Sequence, residues 1–180
     1  MGQAKLKIEI FRKSVLSELE NWVFDPTVWE TRTVAEIQIL PIVTVERAPN
    51  KTLEFMRMLP RQCHKNAKFM ETNDPNGRMK HITGWWIQDD KYVLHSVVYH
   101  DGQYSCVTPA LHERDSSFHF VPDFEIEWRD VGEYEVPYRN DVEIGPGIRT
   151  NPAKTLADIE NIKRRLLSGM NPYDALKLGA

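Results

Sequence analysis

The chain has no run of about 18 apolar residues, so no segment is expected to span a membrane. It has no basic excess either. Its 23 Lys and Arg against 26 Asp and Glu give a net charge of −3, which offers no electrostatic footprint for nucleic acid. The opening MGQAKLKIEIF has no apolar core, so no signal peptide is expected. Leu6 stands where a myristoylation signal needs Ser or Thr. Two cysteines, Cys63 and Cys106, are too few for a disulfide scaffold. The expectation is a cytoplasmic protein, in whose reducing surroundings a free Cys is core filler or chemistry. Cofactor motifs are missing too. Gly145-Pro146-Gly147 lacks phosphate-loop spacing and reads as a turn. Cys63, His64, His81, His95 and Cys106 could make a Cys₂His₂ zinc set, but without the usual paired spacings. No cofactor or metal is therefore expected.

What the chain does have is enough apolar material, 41% of 180 residues, for one core. Phe11, Val15, Leu16, Leu19 and Trp22 recur at helical spacing, which predicts a helix over most of Gln3 to Trp22, with an opening strand as the rival reading. Thr33 to Arg47 is β-branched and contains Pro41, which predicts an edge strand or a broken pair of strands. Arg61 to Thr72 is helix-compatible and is stopped by Asn73 to Gly77. Strands are predicted at His81–Gln88, Tyr92–Tyr99, Gln103–Thr108 and Phe118–Val121. Asp101-Gly102 is the strongest hairpin signal among their connections. Trp85, Trp86, Tyr92 and Tyr99 are taken as strand packing, Asp89-Asp90 as a turn, and His112 and His119 as loop and strand-surface residues. Glu125 to Val142 has strand composition but high charge, as in a peripheral hairpin or arm. Asn151-Pro152 opens an amphipathic helix with Leu156, Ile159, Ile162, Leu166 and Leu167 on one stripe. Lys163, Arg164 and Arg165 lie near its C-terminal end, where the dipole favours cations, and Gly169 stops it.

These elements predict an α+β fold: a small antiparallel sheet packed on a Cys-bearing helix and an N-terminal helix. Residues 1–145 are expected to form one domain and 146–180 a C-terminal helical appendage. The appendage's stripe needs a covering surface, the domain's own or another subunit's, so a protein partner or self-assembly is expected there.

Cys63 falls near the start of a short helix, after Pro60. A helix N-terminus lowers a thiol pKa, and its N–H groups can hold an oxyanion. His95 falls on the first strand of the Asp-Gly hairpin. A base on a rigid strand facing a Cys on a helix end is what a thiol nucleophile needs. The competing reading makes Cys63 a small buried hydrophobe and His95 a satisfied strand histidine.

An ordered set of short motifs spans 61–123: Gln62-Cys63-His64-Lys65-Asn66-Ala67, Gly84-Trp85, Leu94-His95-Ser96-Val97-Val98, Val107-Thr108-Pro109 and Phe118-His119-Phe120-Val121-Pro122-Asp123. The set resembles a group of small uncharacterised bacterial and phage proteins. Their order of Cys on a helix, His on a strand and Asp on the next strand is similar to the papain-like and transglutaminase-like thiol hydrolases. The resemblance implies Cys63 as nucleophile and His95 as base. It places Cys106 where the group has Asp, and a neutral thiol cannot stabilise an imidazolium as a carboxylate does. The resulting expectation is a papain-like thiol hydrolase acting on an amide or ester bond, or its inactivated descendant. The alternative is a non-catalytic structural or interaction protein, such as a phage virion or assembly component, which would sit in the virion.

Overall fold

Pro41 divides the β-branched run 33–47 into two unlike halves. The first half is helical: Thr33, Val34 and Ile37 turn inward from a helix that ends at Gln38. Only Val43–Arg47 is extended. This corrects the strand expected from Thr33 onward. Tertiary burial of Val34 and Ile37 outweighs the small helix penalty of β-branched residues. The helix also has a start signal. The Thr27 hydroxyl accepts from the Glu30 N–H at 2.9 Å, as an N-cap does.

The structure, a computed structural model, describes residues 3–110, 116–145 and 147–177. His112, Pro146 and Leu178 lie outside that range. In chain order the elements are α1 (Gln3–Glu20), α2 (Val28–Gln38), β1 (Val43–Arg47), α3 (Asn50–Phe55), α4 (Cys63–Thr72), β2 (Lys80–Gln88), β3 (Lys91–His100), β4 (Gln103–Cys106) and β5 (Ser117–Pro122). There follow β6 (Ile126–Val131), β7 (Tyr134–Arg139), β8 (Val142–Glu143), β9 (Gly147–Arg149), α5 (Pro152–Leu167) and α6 (Pro172–Lys177). The class is α+β, with a small sheet packed against helices. Two compact units make up the chain: residues 1–32 with 151–180, and Thr33–Thr150.

In the unit spanning Thr33–Thr150 the sheet runs β2-β5-β1-β4-β3, and β2 pairs again with β3, so five strands close into a barrel. One pairing departs from the antiparallel expectation: β1 and β4 run parallel, Val45 opposite Tyr104. The two-residue turn Asp101-Gly102 joins β3 to β4 with φ of 47° and 87°, the positive pair that an Asp-Gly hairpin supplies. Barrel closure depends on Gly84. A Cβ there would lie 2.1 Å from the Val121 carbonyl oxygen, so only glycine lets β2 approach β5.

Val45, Val97, Cys106 and Phe120 form the barrel's interior cluster, with Ile82, Trp86, Tyr104 and Phe118 around it. On the outer face Leu53 of α3, Met58 and Ala67 of α4 pack on Val98 and Val107. The charged stretch after Phe124 is a small sheet of its own, β6-β7-β8. Buried Asp123 ties it down: its Oδ2 accepts from Trp85 Nε1 at 2.7 Å and from Arg139 Nε at 2.8 Å. Glu36 of α2 pairs with the other arm of the same guanidinium.

In the other unit α1 packs on α5 and α6. Val15 meets Leu166 and Ala175, with Phe11, Leu16, Leu19 and Ile162 around them. Ile162 and Leu166 of the stripe on α5 thus find a covering surface in their own chain, whereas Leu167, expected on the same stripe, is exposed. Asn151 caps α5 by accepting from the Lys154 N–H at 3.1 Å, with Pro152 in the first turn. Arg12 donates to the carbonyls of Gly169 and Met170 at the far end.

Candidate functional site

β3 is longer than the neighbours on one of its edges. On that edge β9 covers Lys91–Val93 and β4 covers Val98–His100. Residues 94–97 lie between them with no strand partner on that side among the described residues. The N-terminus of α4 fills this gap. The Cys63 thiol faces the backbone N–H groups of Ser96, on the open stretch of β3, and of His64, which lower its pKa. These backbone groups favour the thiolate, but burial outweighs them and the thiol pKa lies above its ordinary value. Gln62, which precedes the helix, offers no side-chain cap, so its side chain does not occupy the first-turn N–H groups.

Asn66, one turn into α4, fixes the approach to Cys63. Its Nδ2 donates to the Leu59 carbonyl at 2.8 Å and to Thr108 Oγ1 at 3.2 Å, and its Oδ1 accepts from the Leu59 N–H at 3.2 Å. The loop before the helix and the chain after β4 are thereby held to one buried side chain. Arg61 in that loop has φ +60°, a left-handed conformation that is costly for a non-glycine residue.

His95 points the other way from Ser96, into the barrel, and is 8% exposed. Its ring packs on Trp86 and Phe118, with centroids 5.7 and 5.6 Å away. Its Nε2 lies 3.3 Å from Cys106 Sγ. Burial, helped by the Arg47 cation, pushes the imidazole pKa down to about 4, so it is neutral at pH 7. Cys106, 1% exposed at the end of β4, has its thiol pKa raised by burial. Arg47, at the end of β1, lies over Phe118 and Trp86, 4.4 and 4.9 Å from the ring centroids, with Nη1 3.8 Å from Cys106 Sγ.

Cys63 and His95 line one cavity of about 490 Å³, with Arg47, Arg61, Trp86, Leu94 and Pro109 among the other walls. No hydrogen bond joins Cys63 to His95 among the described residues; the imidazole bonds to Cys106. The three sequence-derived residues are therefore neighbours in one region, with the His–Cys106 link formed and both thiols and the imidazole neutral. Arg47 and Arg61 escaped the sequence reading because neither stands in a motif. The one available signal was the nearness of Arg61 to Cys63.

Four of the five residues of the zinc alternative separate into two pairs. His95 and Cys106 face the barrel interior, whereas His64 Nδ1 and His81 Nε2 meet outside it at 3.1 Å. No group of three or more metal-ligating side chains occurs among the described residues. His64 instead stacks on Trp128 at 3.5 Å between centroids, and Trp128 Nε1 donates to Thr83 Oγ1 at 3.0 Å. Burial holds His64 neutral, with its pKa near 4, and lowers that of His81.

No protein-family model matches the chain, and no curated protein or solved structure does.

Proposed function

We propose that this chain is the inactivated descendant of a papain-like thiol hydrolase that acted on an amide or ester bond. Cys63 holds the nucleophile position, His95 the base position and Cys106 the position of the lost carboxylate. The observation that carries the reading is the 3.3 Å approach of His95 Nε2 to Cys106 Sγ, where a working site would hold an acceptor anion. Supporting it, Cys63 sits at a helix N-terminus, facing the N–H groups of Ser96 and His64, in the same cavity as His95.

Inactivation follows from charge. For Cys63 to attack a carbonyl carbon, its proton must pass to His95 as the S–C bond forms. The resulting imidazolium would lie in the barrel interior beside the Arg47 guanidinium, with only a neutral thiol to receive it. Both the burial and the like charge oppose that step. Losing the orienting carboxylate alone costs about four orders of magnitude in the serine-protease case.

The test is Cys106→Asp, with Cys106→Ser as an isosteric control. The carboxylate would accept from His95 and pair with Arg47. Cys63 should then ionise at lower pH and react faster with iodoacetamide, as followed by peptide mass spectrometry from pH 6 to 10. If both variants fold and match the parent profile, position 106 does not govern Cys63 and the reading fails.

A further inference from the structure

The cavity beside Cys63 is uneven in charge. Its lining includes two cations, Arg47 and Arg61, and no carboxylate among the described residues. His95 is neutral there, so it neither adds to nor offsets them. The remaining wall is largely apolar: Trp86, Val93, Leu94, Pro109 and Ala110.

The two arginines differ in setting. Arg47 is held over Trp86 and Phe118. Arg61 is exposed and makes no side-chain hydrogen bond or ion pair among the described residues. Its backbone nevertheless takes a left-handed conformation, φ +60°, two residues before Cys63. Such conformations persist where the surrounding structure enforces them, and they gather at ligand sites. The Asn66 side chain holds Leu59 on one side of Arg61 from within α4 on the other. The loop spends conformational energy to hold a planar, permanently charged fork at a mostly apolar cavity.

We propose that this cavity takes a carboxylate-bearing ligand with an apolar body, whose carboxylate is recognised by Arg61 at the mouth beside Cys63. A guanidinium matches a carboxylate in a bidentate fork, and the apolar wall accounts for the rest of the molecule. The proposal rests on the preceding reading in taking this cavity as the site, but it concerns binding and requires no turnover.

Two alkylating reagents of nearly equal size separate charge recognition from thiol ionisation. Iodoacetate carries a carboxylate and iodoacetamide does not, and both consume the same thiolate. The ratio of their rates at Cys63, read by peptide mass spectrometry on the full chain at one pH, cancels any effect on ionisation. Relative to glutathione, the ratio should favour iodoacetate about five- to tenfold at low salt, the scale of one charge pair in a half-exposed site. It should fall toward the glutathione value in 1 M NaCl and in Arg61→Gln. A parent ratio no higher than that of glutathione overturns the proposal. So does a ratio insensitive to both salt and Arg61→Gln, or a Cys63 inert to both reagents. The Cys106→Asp experiment reads the pH dependence with iodoacetamide alone, so the two readings fail separately.

Discussion

Asn66 grips Leu59 by both of its backbone polar groups, accepting from the N–H at 3.2 Å and donating to the carbonyl at 2.8 Å. These two bonds tie the loop before α4 to the helix that carries Cys63. The amide is 5% exposed, so water cannot take over its partners if it is lost. Asn66→Ala should cost about 2–3 kcal/mol, the sum of a few buried hydrogen bonds less what relaxation recovers. Denaturant unfolding measures this. Cys63 should also alkylate faster in the variant, because its side of the gap is no longer pinned. A loss of stability with unchanged Cys63 reactivity would show that the loop is held by other contacts.

Gly84→Ala should prevent β2 from approaching β5. The added methyl would lie 2.1 Å from the Val121 carbonyl and 2.7 Å from the ring of Phe120, far inside contact distance. Backbone cannot yield as a flexible side chain does, so about 3 kcal/mol or more of stability should be lost. Thermal unfolding by circular dichroism tests this. The variant's near-ultraviolet signal should weaken as well, since Trp85 and Trp86 follow Gly84 in the strand.

Acid should weaken the fold before most carboxylates titrate. His95 titrates near pH 4 when folded and near 6.5 when unfolded, so between those values the unfolded chain binds more protons. Its contribution is fully present above about pH 6.5 and declines as pH falls toward 4. That depression corresponds to roughly 3 kcal/mol. His64 and His81 shift in the same direction. Stability measured from pH 7.5 to 4.5 should fall steadily, and His95→Gln should flatten the slope. A slope that His95→Gln leaves unchanged would mean that the imidazole is charged when folded.

Leu166→Ala tests the helical unit. Leu166 is 1% exposed between Val15 and Ala175, so the truncation should cost about 2–4 kcal/mol. Hydrogen exchange should report the loss in α1 as well as in α5, because α1 buries its apolar face on that residue. Faster exchange confined to α5 would contradict the packing.

The sequence made the local elements readable. Asp101-Gly102 specifies its turn by backbone preference alone, and Asn151-Pro152 supplies both a cap and a preset φ. The second half of α2 reads as a strand because Val34, Ile37 and Ile39 are β-branched, although Thr27-Val28-Trp29-Glu30 has the form of a capping box. The parallel pairing of β1 with β4 left no trace, since register between segments 59 residues apart is set by burial rather than by a turn. At the site, Cys63, His95 and Cys106 were legible as residue types in an order. Arg47 was not, because its position beside His95 depends on closure of the barrel.

That closure also shapes how the chain must fold. The β2–β3 hairpin joins neighbours across the two-residue connection Asp89-Asp90 and can form early. Placing Val45 beside Tyr104 requires a long loop to be closed before any reward arrives. The strand that completes the barrel is thus synthesised early and seated late. Until β4 emerges, β1 has no parallel partner and Cys106 has not met His95. His95 and Cys106 meet within the local β3–β4 hairpin, whereas Arg47 joins them only when the long loop to β1 closes, so the order in which the site assembles is set by chain topology rather than by the chemistry of its residues.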